Sequence, residues 1–199
     1  NTTISQNNIY SSTLPRTTST TLQGVDMHST SVGGTVIERN KIYNLHTTGT
    51  TPTIRAIYLY NGSSSLVNTV RNNFIALEND TTHVATVYGI YDGSGTTDLW
   101  DLYYNSIYIG GAPVSGTQNS YCYYRSFASP TNLKNNIFFN ARAIAGATGK
   151  HYAIYSTVTT ALTSNYNDLY SSGSGANSLV GYWSAADRAT LADWKTASS

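Results

Sequence analysis

Lys134-Asn135-Asn136-Ile137-Phe138 is one of six versions of a single phrase, and its reading decides what the rest of the chain becomes. The others are Gln6-Asn7-Asn8-Ile9-Tyr10, Arg39-Asn40-Lys41-Ile42-Tyr43, Arg71-Asn72-Asn73-Phe74-Ile75, Tyr104-Asn105-Ser106-Ile107-Tyr108 and, degenerately, Tyr166-Asn167-Asp168-Leu169-Tyr170. Counted from the first asparagine of each, the intervals are 33, 32, 33, 30 and 32 residues, a period near 32 running through almost all of the 199 residues. Self-similarity at a fixed period marks a repeat architecture, in which each unit buries its apolar face only against its neighbours.

Each period also carries a second motif: Gly24-Val25-Asp26, Ala56-Ile57-Tyr58, Gly89-Ile90-Tyr91, Cys122-Tyr123-Tyr124, Ala153-Ile154-Tyr155 and Gly181-Tyr182-Trp183. Two short β-rich segments locked to one period, alternating apolar with polar or aromatic and parted by Gly, Ser, Thr and Asn, predict a coil whose successive turns pair as parallel strands. No window holds an i, i+3, i+4 apolar pattern long enough for a helical repeat.

The repeated asparagines Asn7, Asn40, Asn72, Asn105, Asn135 and Asn167 then have a structural reading. A tight bend needs a residue that tolerates left-handed backbone. Bends recurring about 4.8 Å apart also let the amides bond along a ladder. Ile9, Ile42, Phe74, Ile107, Ile137 and Leu169 are expected to form one inward stack, and Val25, Ile57, Ile90, Tyr123, Ile154 and Tyr182 another. Cys122 stands where other repeats carry Gly or Ala and reads as a small packing residue.

These Asn-Asn-Ile-Tyr and Gly-Ile-Tyr runs resemble the right-handed parallel β-helix repeat of pectate-lyase-like proteins, over roughly residues 4–183. Gly181-Tyr182-Trp183-Ser184 with Thr190-Leu191-Ala192-Asp193-Trp194 is similar to the end of such units in very large secreted proteins of Bacteroidota-type bacteria. The resemblance implies an all-β right-handed parallel β-helix of about six coils over residues 1–183. Residues 184–199 would be a short helical cap or a linker to a following module, with Trp194 partly buried. It also implies an extracellular or cell-surface piece of a larger bacterial protein, but not an activity, because this superfamily holds lyases, hydrolases, adhesins and non-catalytic modules alike.

The residues narrow the function further. Eleven Lys and Arg against ten Asp and Glu leave a net charge of +1, which argues against nucleic acid as a partner. No stretch approaches the roughly 18 apolar residues of a membrane helix. By alternation Asp26, Tyr58, Tyr91, Tyr124, Tyr155 and Trp183 face outward, either stacking for stability or forming a platform for sugar rings or a partner protein. A second outward column, Gln6, Arg39, Arg71, Tyr104, Lys134 and Tyr166, holds three cations able to meet an acidic polysaccharide at Arg39, Arg71 and Lys134. Carboxylates for glycoside hydrolysis, which wants a pair roughly 5–9.5 Å apart, are scarce. Asp26, His28, Glu38 and Arg55 in adjacent turns are the catalytic candidates, for a polysaccharide lyase or hydrolase. Asp92, Asp98 and Asp101 around a Gly-rich loop could gather oxygens for Ca²⁺, although their spacing matches no EF-hand and no cofactor is otherwise implied. The leading expectation is a non-catalytic module, a spacer or a polysaccharide- or partner-binding surface. End-to-end self-association into a fibre is a further alternative.

Overall fold

The computed structural model describes residues 2–11, 20–29, 33–47, 49, 51–61, 66–78, 84–113, 115–143, 148–173 and 176–199. Six coils of a right-handed parallel β-helix each contribute one strand to each of three sheets. The first sheet stacks β1 (Thr3–Ser5), β4 (Val36–Glu38), β7 (Val67–Arg71), β10 (Leu99–Tyr103), β13 (Thr131–Lys134) and β16 (Leu162–Asn165). The second stacks β2 (Asn8–Tyr10), β5 (Lys41–Tyr43), β8 (Phe74–Glu78), β11 (Ser106–Gly110), β14 (Ile137–Asn140) and β17 (Asp168–Ser171). The third stacks β3 (Thr21–Ser29), β6 (Thr53–Asn61), β9 (Thr86–Asp92), β12 (Ser120–Arg125), β15 (His151–Ser156) and β18 (Ser178–Trp183), with β19 (Ala186–Arg188) added antiparallel at its end. A single helix, α1 (Leu191–Ser198), follows. Among the described residues no helix is long and apolar enough to cross a membrane.

The corner between the first two sheets is where the asparagines act, and two of the six positions differ from the expected ones. The amide ladder runs Asn7, Asn40, Asn73, Asn105, Asn136, Asn167, each side chain donating Nδ2–H to the next Oδ1 at 2.9–3.0 Å. Asn72 and Asn135 sit one residue earlier, in the left-handed conformation with φ of 54° and 57°. That corner is shared with Gln6, Arg39, Tyr104 and Tyr166, so the bend and the ladder are neighbouring positions rather than one. Each internal Oδ1 also accepts the backbone N–H of the preceding ladder asparagine, and each internal Nδ2 donates its second proton to a carbonyl of the preceding coil. Asn73, Asn105 and Asn136 are therefore fully buried yet satisfied, as a buried amide must be.

The one-residue shift carries into the core. Ile9, Ile42, Ile75, Ile107, Phe138 and Leu169 are in register, while Phe74 and Ile137, expected inside, are about half exposed. With strand period two, a slip of one residue exchanges faces, and in both of these coils the doubled asparagine displaces the apolar alternation by one. The second inward stack holds at Val25, Ile57, Ile90, Tyr123 and Ile154, then meets Gly181 instead of Tyr182. The cause is at the C-terminal end. A Cβ on Gly181 would lie 2.4 Å from the Trp194 ring, so the glycine makes room for a tryptophan delivered from α1. Trp183 consequently turns inward, packing edge-on against Trp194 at 5.5 Å. It is buried, not part of the outer column. The helix that brings Trp194 is started by a capping box: Thr190 Oγ1 accepts the Asp193 N–H, and Asp193 accepts from the Thr190 N–H.

Candidate functional site: the tyrosine face

The outer face of the third sheet concentrates aromatic side chains. In β6, β9, β12 and β15 two consecutive residues turn inward and are fully buried, or nearly closed off in the glycine case: Ala56 and Ile57, Gly89 and Ile90, Cys122 and Tyr123, Ala153 and Ile154. The first of each pair is small because the inward kink leaves no room; a Cβ on Gly89 would come within 2.5 Å of both the Cys122 carbonyl and Ile107. The residues flanking each pair therefore share the outer side, three apart, and make two columns where simple alternation predicts one.

One column is Asp26, Tyr58, Tyr91, Tyr124, Tyr155 and Tyr182; the other is Gln23, Arg55, Tyr88, Tyr121, Tyr152 and Leu179. Within the first, Tyr91, Tyr124, Tyr155 and Tyr182 stack ring on ring at 4.8, 5.1 and 4.3 Å, with interplanar angles of 24°, 7° and 10°. In the second, Tyr88, Tyr121 and Tyr152 stack at 4.9 and 5.5 Å, at 14° and 2°. Between columns the rings meet edge to face, as Tyr121 does with Tyr155 at 5.0 Å and 74°. The result is a herringbone in which ring faces are covered by other rings and edges by faces, the geometry aromatic quadrupoles favour. Tyr121 and Tyr152 are buried although they lie outside the solenoid core. Burial raises the phenol of Tyr88 to about 12 and pushes those of Tyr121, Tyr152 and Tyr155 higher, so these hydroxyls stay protonated at neutral pH.

The N-terminal end of this face holds Asp26, His28 and Arg55 together. Asp26 is in register with Tyr58, the His28 ring lies 4.4 Å from Tyr60, and the Arg55 guanidinium sits 4.6 and 4.4 Å from the rings of Tyr58 and Tyr91. Glu38, grouped with them in sequence, belongs to the first sheet and accepts a bond from Arg71 Nε at 2.7 Å. The cation column also separates. Arg71 is in register with Glu38 and Tyr103, and Lys134 with Tyr103, but Arg39 occupies the left-handed corner one residue on. Arg71 thus faces a carboxylate and not a second arginine.

The three aspartates of the Gly-rich loop take three different environments. Asp92 is buried and accepts from the Ser94 N–H at 3.1 Å, the Tyr123 hydroxyl at 3.0 Å and the Ser129 hydroxyl at 3.2 Å. Its neighbour in register, Arg125, is also buried, giving its protons to the carbonyls of Ser129, Thr160 and Ala161. Asp101 lies outside and accepts from Asn132 at 2.8 Å. Asp98 is buried with neither carboxylate oxygen in a well-formed hydrogen bond. Among the described residues no three His, Cys, Asp or Glu side chains are placed to hold a metal ion. The Asp92, Tyr123, Ser129 and Arg125 network was legible only in one odd residue, a tyrosine in a core column where four other coils carry Ile or Val.

Burial raises Asp98 to about 6; the Gly95 backbone partly offsets the rise and the Asp92 charge adds to it. The folded chain then holds a proton that the unfolded chain has released by pH 5, so the associated stability is present below pH 3.8 and lost as pH climbs through 6. Asp98→Asn is expected to raise unfolding stability at pH 7.5 by roughly 1–2 kcal/mol after discounting for solvent screening. The gain should be much smaller at pH 4.5, as paired urea titrations would show.

One pair of carboxylates shares a cleft that sequence reasoning passed over, Asp187 and Asp193 beside Arg188, in a hollow of about 580 Å³. Both are engaged. Asp193 is the capping carboxylate of α1, and Asp187 accepts from the Tyr152 hydroxyl and the Lys150 ammonium. Comparison with protein-family models, with curated proteins and with solved structures gave no match, so no relative lends the chain a function.

Proposed function

We propose that the chain is a non-catalytic β-helix module of an extracellular or cell-surface protein, serving as a rigid spacer in a larger assembly. One observation carries the reading: the tyrosines of the outer face are stacked on one another. A sugar ring binds an aromatic through the flat face, and here ring-on-ring contacts at 4.3–5.5 Å occupy those faces along both columns. The carboxylates support it too, since Glu38, Asp92, Asp101, Asp187 and Asp193 each already bind a partner in the fold. An extracellular setting fits a chain kept in solution by hydroxyls and amides, with only 11% charged residues.

A second reading, a carbohydrate- or partner-binding surface, is favoured at one place only. Asp26, His28 and Arg55 place polar groups around Tyr58, where the ring-on-ring column gives way to an edge-on contact with Tyr91 at 5.4 Å and 65°. Incubation with uronate-containing and neutral polysaccharides, with and without Ca²⁺, tests both. The spacer reading expects no new reducing ends and no retention on immobilised glycans. Turnover abolished by Arg55→Ala or Glu38→Ala would replace it with a polysaccharide lyase or hydrolase. Retention lost in Arg55→Ala would replace it with glycan recognition.

A further inference from the structure

The two ends of the solenoid are chemically unlike. At the C-terminal end the ladder closes on itself: Asn167 Nδ2, lacking a further asparagine, donates to the Ser164 hydroxyl at 3.2 Å and to the Leu133 carbonyl at 2.9 Å. Trp194 fills the space over Gly181, and β19 pairs antiparallel along β18. A strand edge blunted in this way does not accept a further parallel strand.

Among the described residues the N-terminal end shows no comparable closure. Every later ladder asparagine takes two protons on Oδ1 from the coil before it, as Asn40 does from Asn7 N at 3.1 Å and Nδ2 at 2.9 Å. Asn7 Oδ1 receives neither, and the second proton of its Nδ2 lacks the carbonyl that Ile4 supplies to Asn40. Ile4, Ile9 and Leu22 are only partly buried, whereas Ile37, Ile42 and Ile54, their register partners one coil on, are fully buried. Thr2, Thr3, Asn7 and Asn8 are exposed.

We propose that this edge is a docking surface for one more parallel coil of the same asparagine-cornered repeat, supplied in cis ahead of β1. The missing donors and acceptor define the occupant. It must place an asparagine N–H and Nδ2–H over Asn7 Oδ1 and, three residues earlier, a carbonyl over Asn7 Nδ2, which is what each internal coil presents to the next. A second copy cannot present this from its C-terminal end, where Asn167 is bonded to Ser164 beneath α1. Meeting through its N-terminal end, a second copy would run its strands antiparallel to β1 and β2 and could not continue the parallel ladder.

The test joins a duplicate of residues 34–66 in front of Asn1, which sets the duplicated Asn40 33 residues ahead of Asn7, the spacing of the native ladder. Hydrogen exchange of the β1 and β2 amides is expected to slow at least tenfold in the fusion and not with a Gly-Ser extension of equal length. Asn7→Ala should then lower the fusion's thermal midpoint by several degrees more than it lowers that of the unextended chain. Unchanged exchange in a folded fusion, or an equal Asn7→Ala effect in both proteins, would overturn the proposal. So would a dimer of the unextended chain by sedimentation with these amides already protected, since a second copy would then be the occupant. A fusion that fails to fold while the Gly-Ser control folds would overturn it equally, because a coil native to this solenoid would have been refused by the edge.

Discussion

Replacing Asn105 by alanine is expected to destabilise the protein by about 3–5 kcal/mol. Asn105 is fully buried, and its amide makes four hydrogen bonds. Oδ1 accepts the N–H and Nδ2–H of Asn73, and Nδ2 donates to the Val70 carbonyl and to Asn136 Oδ1. Alanine strands two buried donors and a carbonyl at once, in a corner too closely stacked for water to reach. The adjoining bend should behave in the opposite way. Asn72 is exposed, holds a φ of 54° and uses its side chain in no ladder bond, so Asn72→Gly should change stability by only a few tenths of a kcal/mol. Asn72→Ala should cost about 1 kcal/mol, for left-handed backbone alone. Urea titration of the three variants separates ladder from bend. Equal losses at Asn105 and Asn72 would return the ladder to the positions expected from the first asparagine of each motif.

The second large effect lies at the closed end. Trp194 is 3% exposed, fills the space over Gly181 and meets Trp183 edge-on, so Trp194→Ala should cost about 3–5 kcal/mol. Its consequence is also local. At eight residues α1 is well below the roughly 12–15 that an isolated helix needs, so tertiary contact keeps it folded despite its capping box. The variant should lose the helical part of the far-ultraviolet circular dichroism before the β signal melts. Retention of that helical signal would mean that α1 is held by something other than Trp194.

The period and the parallel β-helix were legible in the motif because every coil must meet its neighbour in the same way, so the same side chains recur. The register was less so. Where two asparagines are adjacent, as in Asn72-Asn73 and Asn135-Asn136, either could be the ladder residue. The motif alone suggests one asparagine for both bend and ladder, whereas the corner uses two residues. The apolar alternation that follows, Ile75 and Leu77 inward with Phe74 outward, carried the missing information. The second tyrosine column was hidden for a related reason. Strict alternation puts Gly89 outside, whereas the kinked strand turns both Gly89 and Ile90 inward and brings Tyr88 out beside Tyr91. The recurring Gly, Ala or Cys before the core residue was the visible sign of that kink. Trp183 departs from its expected outer column because the last loop is shorter, and because Gly181 looks like the glycine of the earlier motif while answering to Trp194.

Equilibrium unfolding of Tyr124→Ala distinguishes a scaffold from a platform most simply. If the aromatic face exists to hold coil on coil, the substitution should remove about 2–3 kcal/mol, because Tyr124 meets Tyr91, Tyr155, Tyr88 and Tyr121 at 4.8–5.3 Å. A folded Tyr124→Ala protein with an unchanged midpoint would contradict that account and leave the face free for a ligand.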